Sequence, residues 1–266
     1  MSVAEQSGYY RRVGEHRFAP SHHVGGAWRD DEQHFSPLGG LIIHALDRFV
    51  EDRAPDQLVF SRLCFDILGQ IPREECEITV ESIRPGRTIE LLGATVRIGG
   101  RAVVLARAWR LHAGDTAAVA ADSLDRLPSP EDCVRWDMTT VWDGGFIGSL
   151  DVRMVAPPEP GRACGWVSTA RDLVDGEPSS PHASFMALVD TANGIGVRQA
   201  PTTWMFPNVD LTIHLVRSPA GPWTGLDTTV SWGPGGLGVT STVLHDLDGP
   251  VGFAQQSLTL RPLPSA

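Results

Sequence analysis

The stretch SPLGGLIIHALDRFV, residues 36–50, has the features of an amphipathic helix. Ser36 is a candidate N-cap, Pro37 suits the first helical position, and apolar residues then recur at helical spacing. The same scheme returns at 180–196, SPHASFMALVDTANGIG, where Ser180 and Pro181 open a second apolar helix. Two helices of one design, so far apart in the chain, predict an internal repeat.

The segments around each helix also correspond. A strand-like segment precedes each helix, and a strand ending in proline follows it, to Pro72 in the first half and Pro219 in the second. Two hairpin patterns come next, at 82–111 and 231–260, with the tight-turn dipeptides Gly99-Gly100 and Asp248-Gly249 at matching places. The pattern predicts an α+β double hotdog, in which two tandem antiparallel sheets each wrap around one long helix. The predicted units are 1–111 and 149–266, with a surface connector at 112–148.

The composition narrows the classes of partner. The formal charge is −10 and all 22 basic residues are Arg, so phosphate-backbone binding is disfavoured and nucleic acid is not an expected partner. The four cysteines form no CxxC and have no His at metal-ligand spacing, which favours reduced thiols and no metal site. The first residues contain no apolar signal region, and no apolar run is long enough to span a membrane. A cytoplasmic protein without a membrane partner is therefore expected.

The two halves differ at equivalent positions. When the two halves are aligned as repeats, Asp210 corresponds to Leu63, and Asp190, within the second helix, corresponds to Leu46. Conversely, Gly39-Gly40 opens the first helix, although each helical Gly costs about 1 kcal/mol relative to Ala. Such a pair indicates either close packing or the approach of a ligand to backbone N–H groups.

Three motifs carry a family resemblance. PLGGLIIHAL in the first half, with VDLTIHLVR and D-G-x(6)-Q-S-L-T-L-R in the second, resembles the type II acyl-CoA thioesterases over nearly the whole chain. The resemblance implies one site per chain, where an Asp, a hydroxyl residue and a Gln orient and activate a water. Those roles fall on Asp210, Ser231 and Gln256, and a slip of two or three residues in the alignment would replace Ser231 by Thr229 or Thr228. The family's aromatic and His residues after the Asp are absent, since Leu211 and Thr212 stand there.

The residue types suit thioester hydrolysis. A carboxylate can accept the proton of a water, while Ser and Gln can hold that water by hydrogen bonds. Backbone N–H groups at Gly39 and Gly40 are the expected oxyanion donors. Asp190 is a second candidate base, because helix carboxylates do this work in single-domain hotdog thioesterases, and His34 is a candidate for lining the pocket.

The expected function is hydrolysis of a medium- or long-chain acyl-CoA in lipid metabolism, with the acyl chain in an apolar tunnel between the two helices. CoA enters as part of the substrate, no other cofactor or metal is expected, and Arg side chains should contact its phosphates. Homo-oligomers are plausible through exposed sheet faces. The alternatives are a non-catalytic acyl-CoA-binding protein and a hotdog enoyl-CoA hydratase. The hydratase requires an Asp and a His facing one another, and no pair has close spacing in the sequence.

Overall fold

The computed structural model describes residues 7–26, 28–53, 55–121 and 123–263. The helices are α1 (Phe35–Glu51), α2 (Pro181–Val189) and the short α3 (Ala192–Ile195). The strands of the first half are β1 (Tyr10–Arg12), β2 (Arg17–Pro20), β3 (Leu58–Ile67), β4 (Cys76–Arg84), β5 (Ile89–Ile98) and β6 (Arg101–His112). Those that follow are β7 (Val134–Arg135), β8 (Leu150–Met154), β9 (Arg162–Thr169), β10 (Trp204–Met205), β11 (Asp210–Leu215), β12 (Thr224–Trp232), β13 (Leu237–Asp246), β14 (Gly249–Thr259) and β15 (Arg261–Pro262).

Within the described ranges, thirteen strands form a single antiparallel sheet in the order β1-β2-β4-β5-β6-β3-β11-β14-β13-β12-β9-β8-β7. The two sheets that the sequence predicted are thus continuous, because β3 pairs with β11 in a register that sets Leu63 opposite Ile213. Pairing these two strands satisfies backbone groups that would otherwise lie at exposed sheet edges. All the strands of the first half lie on one side of this junction, and β7, β8, β9, β11, β12, β13 and β14 lie on the other. Strands β10 and β15 pair with each other in a separate two-stranded sheet.

Helix α1 agrees with the predicted helix, but its cap differs. The helix begins at Phe35, and the imidazole of His34 accepts a hydrogen bond from the Ser36 backbone N–H at 3.1 Å. His34 is therefore the N-cap, and Ser36 lies inside the first turn. The predicted cap of the second helix is present, since the Ser180 hydroxyl accepts from the Ala183 N–H at 3.0 Å.

The second helix is not the single long helix that was predicted. It ends at Val189, and the four-residue α3 follows after Asp190 and Thr191. Asp, Thr, Asn and Gly all have low helix propensity, and they are concentrated in the sequence DTANG at 190–194. The break allows Asp190 and Asn193 to turn toward the sheet.

Helices α1 and α2 are in direct contact. A Cβ built on Gly40 would lie 2.6 Å from the Cβ of Ala187 and 2.8 Å from the carbonyl oxygen of Ala183. One on Gly39 would meet the Phe35 ring at 3.4 Å. Gly40 therefore serves close helix packing, the first of the two interpretations given above, whereas Gly39 would admit a Cβ. The acyl tunnel expected between the helices has no room at this crossing.

The connector is more deeply integrated than a surface segment. It supplies the edge strand β7, and the side chains of Met138, Trp142 and Ile147 are buried. The Trp142 indole N–H donates to the carbonyl oxygen of Gly194 in α3 at 2.9 Å. The connector consequently forms part of the wall described next.

Candidate active site

A cavity of about 500 Å³ opens where the beginning of α1 meets the break between α2 and α3. The N-terminal end of α1 contributes His34 and Phe35, and the helix break contributes Asp190 and Asn193. The segment before β11 and the end of the chain supply further wall, including Asn208 and Arg261. The apolar part of the lining consists of Trp28, Phe35, Ile67, Ile71, Met138, Trp142, Ile147, Met205, Pro207 and Val209.

Asp190 is the buried carboxylate of this cavity, with 5% of its surface exposed. Its Oδ1 accepts hydrogen bonds from Asn208 Nδ2 at 2.7 Å and from Gln256 Nε2 at 2.8 Å. Burial raises the pKa of the Asp190 carboxyl to about 6, although these two hydrogen bonds oppose the rise. A carboxylate with such a pKa can exchange protons near neutral pH.

The imidazole of His34 faces the same carboxylate. Its Nδ1 lies 3.7 Å from Asp190 Oδ2 and already accepts a hydrogen bond from the Ser36 N–H. Burial lowers the pKa of His34 to about 4, so the ring is neutral at physiological pH. The separation exceeds hydrogen-bond range, and Oδ2 has no hydrogen-bond partner among the described residues.

Buried polar side chains continue behind Asp190 on the helix-facing side of the sheet. The Thr240 hydroxyl donates to Asn193 Oδ1 at 3.4 Å, and Asn193 Nδ2 donates to the carbonyl oxygen of Phe206 at 3.1 Å. The hydroxyls of Thr228 and Thr242 are 3.0 Å apart. The hydrogen bonds of Asn193 hold its side chain in place. Thr240 and Thr242 belong to β13, which pairs with β14, the strand that carries Gln256.

The structure separates Asp210 and Ser231 from Gln256. Strand side chains alternate between faces, and Gln256 and Thr228 are buried on the helix-facing side whereas Ser231 and Thr229 are exposed on the other. The Asp210 carboxylate accepts from the Ser257 backbone N–H at 2.6 Å, and Asp210 is not part of the cavity lining. The expected trio is thus not assembled, and Gln256 meets Asp190 instead.

Gly39 and Gly40, the expected oxyanion donors, lie beyond the first four residues of α1, whose N–H groups lack helical partners. They also do not line the cavity. The cavity instead meets the start of α1 at His34 and Phe35, so the positive end of the helix dipole faces it.

Asn208 is the residue that sequence reasoning missed. Its Nδ2 donates to Asp190 Oδ1 and, at 3.1 Å, to the carbonyl oxygen of Asp210. Asn208 lies in the segment FPNVD just before β11. A polar residue next to a predicted buried strand was the only sequence feature that could have marked it as a site candidate. Its contact with the helix break follows only from tertiary packing.

Among the residues that the structure describes, no group of three or more His, Cys, Asp or Glu side chains could hold a metal ion. No helix in the described ranges is long and apolar enough to cross a bilayer.

Two family models match the chain. Residues 25–111 match the acyl-CoA thioesterase N-terminal domain, and residues 130–260 match the acyl-CoA thioesterase C-terminal domain. Together they span most of the sequence, in the order in which the two domains occur here. The chain belongs to the acyl-CoA thioesterase family.

Solved structures share the fold over nearly the full length. A hotdog-fold protein of unknown function from Alicyclobacillus acidocaldarius aligns with TM-score 0.74 and 13% identity over 100% of both chains. A protein assigned as a thioesterase from Novosphingobium aromaticivorans gives 0.71 and 18%, covering 95% of this chain and 98% of its own. An acyl-CoA thioesterase II from Mycobacterium marinum gives 0.64 and 14%, covering 97% and 96%. No curated protein matches the sequence significantly. The α+β hotdog fold is confirmed.

Proposed function

We propose that this protein hydrolyses acyl-CoA thioesters, with Asp190 as the base that activates water. The observation that carries the proposal is a buried carboxylate with a pKa of about 6 on the wall of a cavity that is lined by both apolar and polar residues. Family membership supports the reaction class, and the two hydrogen bonds from Asn208 and Gln256 support the choice of residue.

The proposed step follows from the geometry. Because Asn208 and Gln256 both donate to Oδ1, Oδ2 is left to accept a proton from water as the water attacks the thioester carbonyl carbon. The oxyanion then forms near the positive end of α1, which stabilises negative charge. When the C–S bond breaks, the proton on Asp190 passes to the departing sulfur, and the products are a free acid and CoA.

The architecture fits a pair of hotdog units joined at β3 and β11, with units 1–111 and 149–266 and the connector 112–148 between them. The site draws its wall from both units and from the connector. The lining includes Trp28, Phe35 and Trp142, which supports contact between this cavity and an apolar acyl group. The length of the acyl chain stays a prediction. A cytoplasmic location and homo-oligomers also remain predictions.

The test is thiol release from a panel of acyl-CoAs by the wild type, Asp190→Asn and Asp210→Asn. Both variants remove one carboxylate charge with little change in shape, so they are matched. We expect Asp190→Asn to lower kcat/KM at least a hundredfold, while Asp210→Asn keeps most of the activity. The reverse result would make Asp210 the base. If no thioester is hydrolysed but an acyl-CoA raises the Tm, the protein is a non-catalytic binder.

One observation favours a second candidate function, an enoyl-CoA hydratase. The structure brings an Asp and a His together, with His34 Nδ1 3.7 Å from Asp190 Oδ2, which the sequence spacing did not anticipate. In that reaction a protonated Asp190 would act as acid and the neutral imidazole as base through Nδ1, which would first have to release its hydrogen bond from the Ser36 N–H. Loss of enoyl absorbance from crotonyl-CoA without thiol release would identify this activity.

A further inference from the structure

Arg261 is the residue of the C-terminal motif that the proposed reaction leaves without a role. It lies in β15, which pairs with β10 so that Arg261 stands opposite Met205. Arg261, Met205 and Asp190 all line the same cavity, and Arg261 is exposed. Asp190 is buried in the wall of this cavity, whereas Arg261 is exposed to solvent. We infer that Arg261 lies toward the cavity mouth.

The guanidinium of Arg261 has no carboxylate partner among the described residues, although the chain carries an excess of acidic residues. Its Nη2 donates to the thioether sulfur of Met205 at 2.9 Å, and a thioether is a weak acceptor. The other cation on this wall, Arg29, is already held by both oxygens of Asp31. The Glu32 carboxylate, which also lines the cavity, accepts from the Trp28 backbone N–H. Arg261 is therefore available to bind an anion.

We propose that Arg261 binds a phosphate of the CoA portion of the substrate, an assignment that rests on the proposed function. A guanidinium presents paired N–H donors that match phosphate oxygens, and such charge-assisted bonds exceed the strength of the contact with Met205. The pantetheine arm joins the thioester to these phosphates. With the thioester beside Asp190, the nucleotide lies toward the cavity mouth, where Arg261 is exposed.

The experiment compares one acyl group on three carriers: CoA, dephospho-CoA and N-acetylcysteamine, which has no phosphate. The variants are Arg261→Gln and Arg101→Gln. Arg101 is an exposed residue of the Gly99-Gly100 hairpin, and its side chain makes no hydrogen bond or ion pair with another described residue. It also lies outside the cavity lining, so its variant controls for the change in net charge. Free CoA binding is measured by calorimetry in parallel, so that the phosphate contact is tested without catalysis.

For Arg261→Gln we expect KM for the CoA ester to rise about tenfold with kcat unchanged, and the Kd of free CoA to rise similarly. The N-acetylcysteamine ester should be hydrolysed as by the wild type, and Arg101→Gln should change neither ester. A loss that persists with dephospho-CoA assigns the contact to the pyrophosphate, and a loss confined to CoA assigns it to the 3′-phosphate. Higher ionic strength should reduce the difference.

Two results would overturn the assignment: an equal loss with the CoA and N-acetylcysteamine esters, or no loss with either. Failure of the proposed function looks different. In that case the wild type hydrolyses none of the three esters, while the calorimetric comparison of wild type and Arg261→Gln still decides whether Arg261 binds a phosphate.

Discussion

Asp190 combines three properties at the scale of a single residue: burial, a raised pKa and two hydrogen bonds to one oxygen. Its ionised form is the proposed base, whereas a hydratase would need the protonated form. We therefore expect kcat/KM for thioester hydrolysis to rise about tenfold per pH unit below pH 6 and to level above it. The imidazole of His34 has a pKa of about 4, so its titration adds no second pH-dependent region to the kcat/KM curve in this range. A pH–rate profile between pH 4.5 and 8.5 checks this, and hydrolysis that falls as pH rises through 6 would contradict ionised Asp190 as the base.

The same carboxylate should affect stability. Its pKa is about 6 in the folded protein against an ordinary value of 3.8, so the unfolded state releases the proton more readily. The free energy of unfolding then decreases as pH rises from about 4 to about 6, and the full cost, roughly 1–3 kcal/mol, persists above pH 6.

Asp190→Asn removes this charge while its amide oxygen can still accept from Asn208 and Gln256. We expect the variant to have a higher Tm than the wild type at pH 8 and an equal Tm near pH 4. Because other titrating groups are common to both proteins, the difference between them isolates Asp190. A variant that is less stable at pH 8 would show that the carboxylate stabilises the fold.

At the scale of elements, the contact between α1 and α2 predicts different effects of alanine substitution at the adjacent residues Gly39 and Gly40. Gly40→Ala should lower the free energy of unfolding by about 1–3 kcal/mol, because its Cβ would overlap Ala187 and the Ala183 carbonyl. Gly39→Ala should be neutral or stabilise by up to about 1 kcal/mol, since the new Cβ meets the Phe35 ring at 3.4 Å and alanine favours the helix. Urea unfolding of both variants measures the contrast. Equal stabilities would mean that the helices are farther apart than described.

At the scale of the whole molecule, the two halves share a sheet, a helix contact and a cavity. Strands β3 and β11 pair along the junction, and the cavity wall needs residues from both halves. We therefore expect a single cooperative unfolding transition. Six of the eight Trp lie from Trp136 onward, so Trp fluorescence reports mainly on the second half and far-UV circular dichroism on both. Coincident urea curves are the expected result, and separate midpoints would indicate halves that unfold independently.

Much of the fold was predictable because it rests on local patterns. The apolar spacing of 36–50 and the Ser-Pro start at 180 located both helices, and the glycine dipeptide Gly99-Gly100 located a hairpin, with φ of +56° and +79°. The site was less predictable. Gln256, His34 and Asp190 were among the candidates, but Asn208 was not, and Asp210 was favoured over Asp190.

By itself, the sequence determined the family and the α+β class and predicted two similar halves, because apolar periodicity and turn residues are local features that recur along the chain. Only the tertiary structure decided which carboxylate faces the cavity. That depends on the face of β11 to which Asp210 belongs, on the break after Val189, and on the pairing that brings Gln256 of β14 beneath that break. Strand register and helix ends are fixed by contacts between residues far apart in the chain, which no local pattern records.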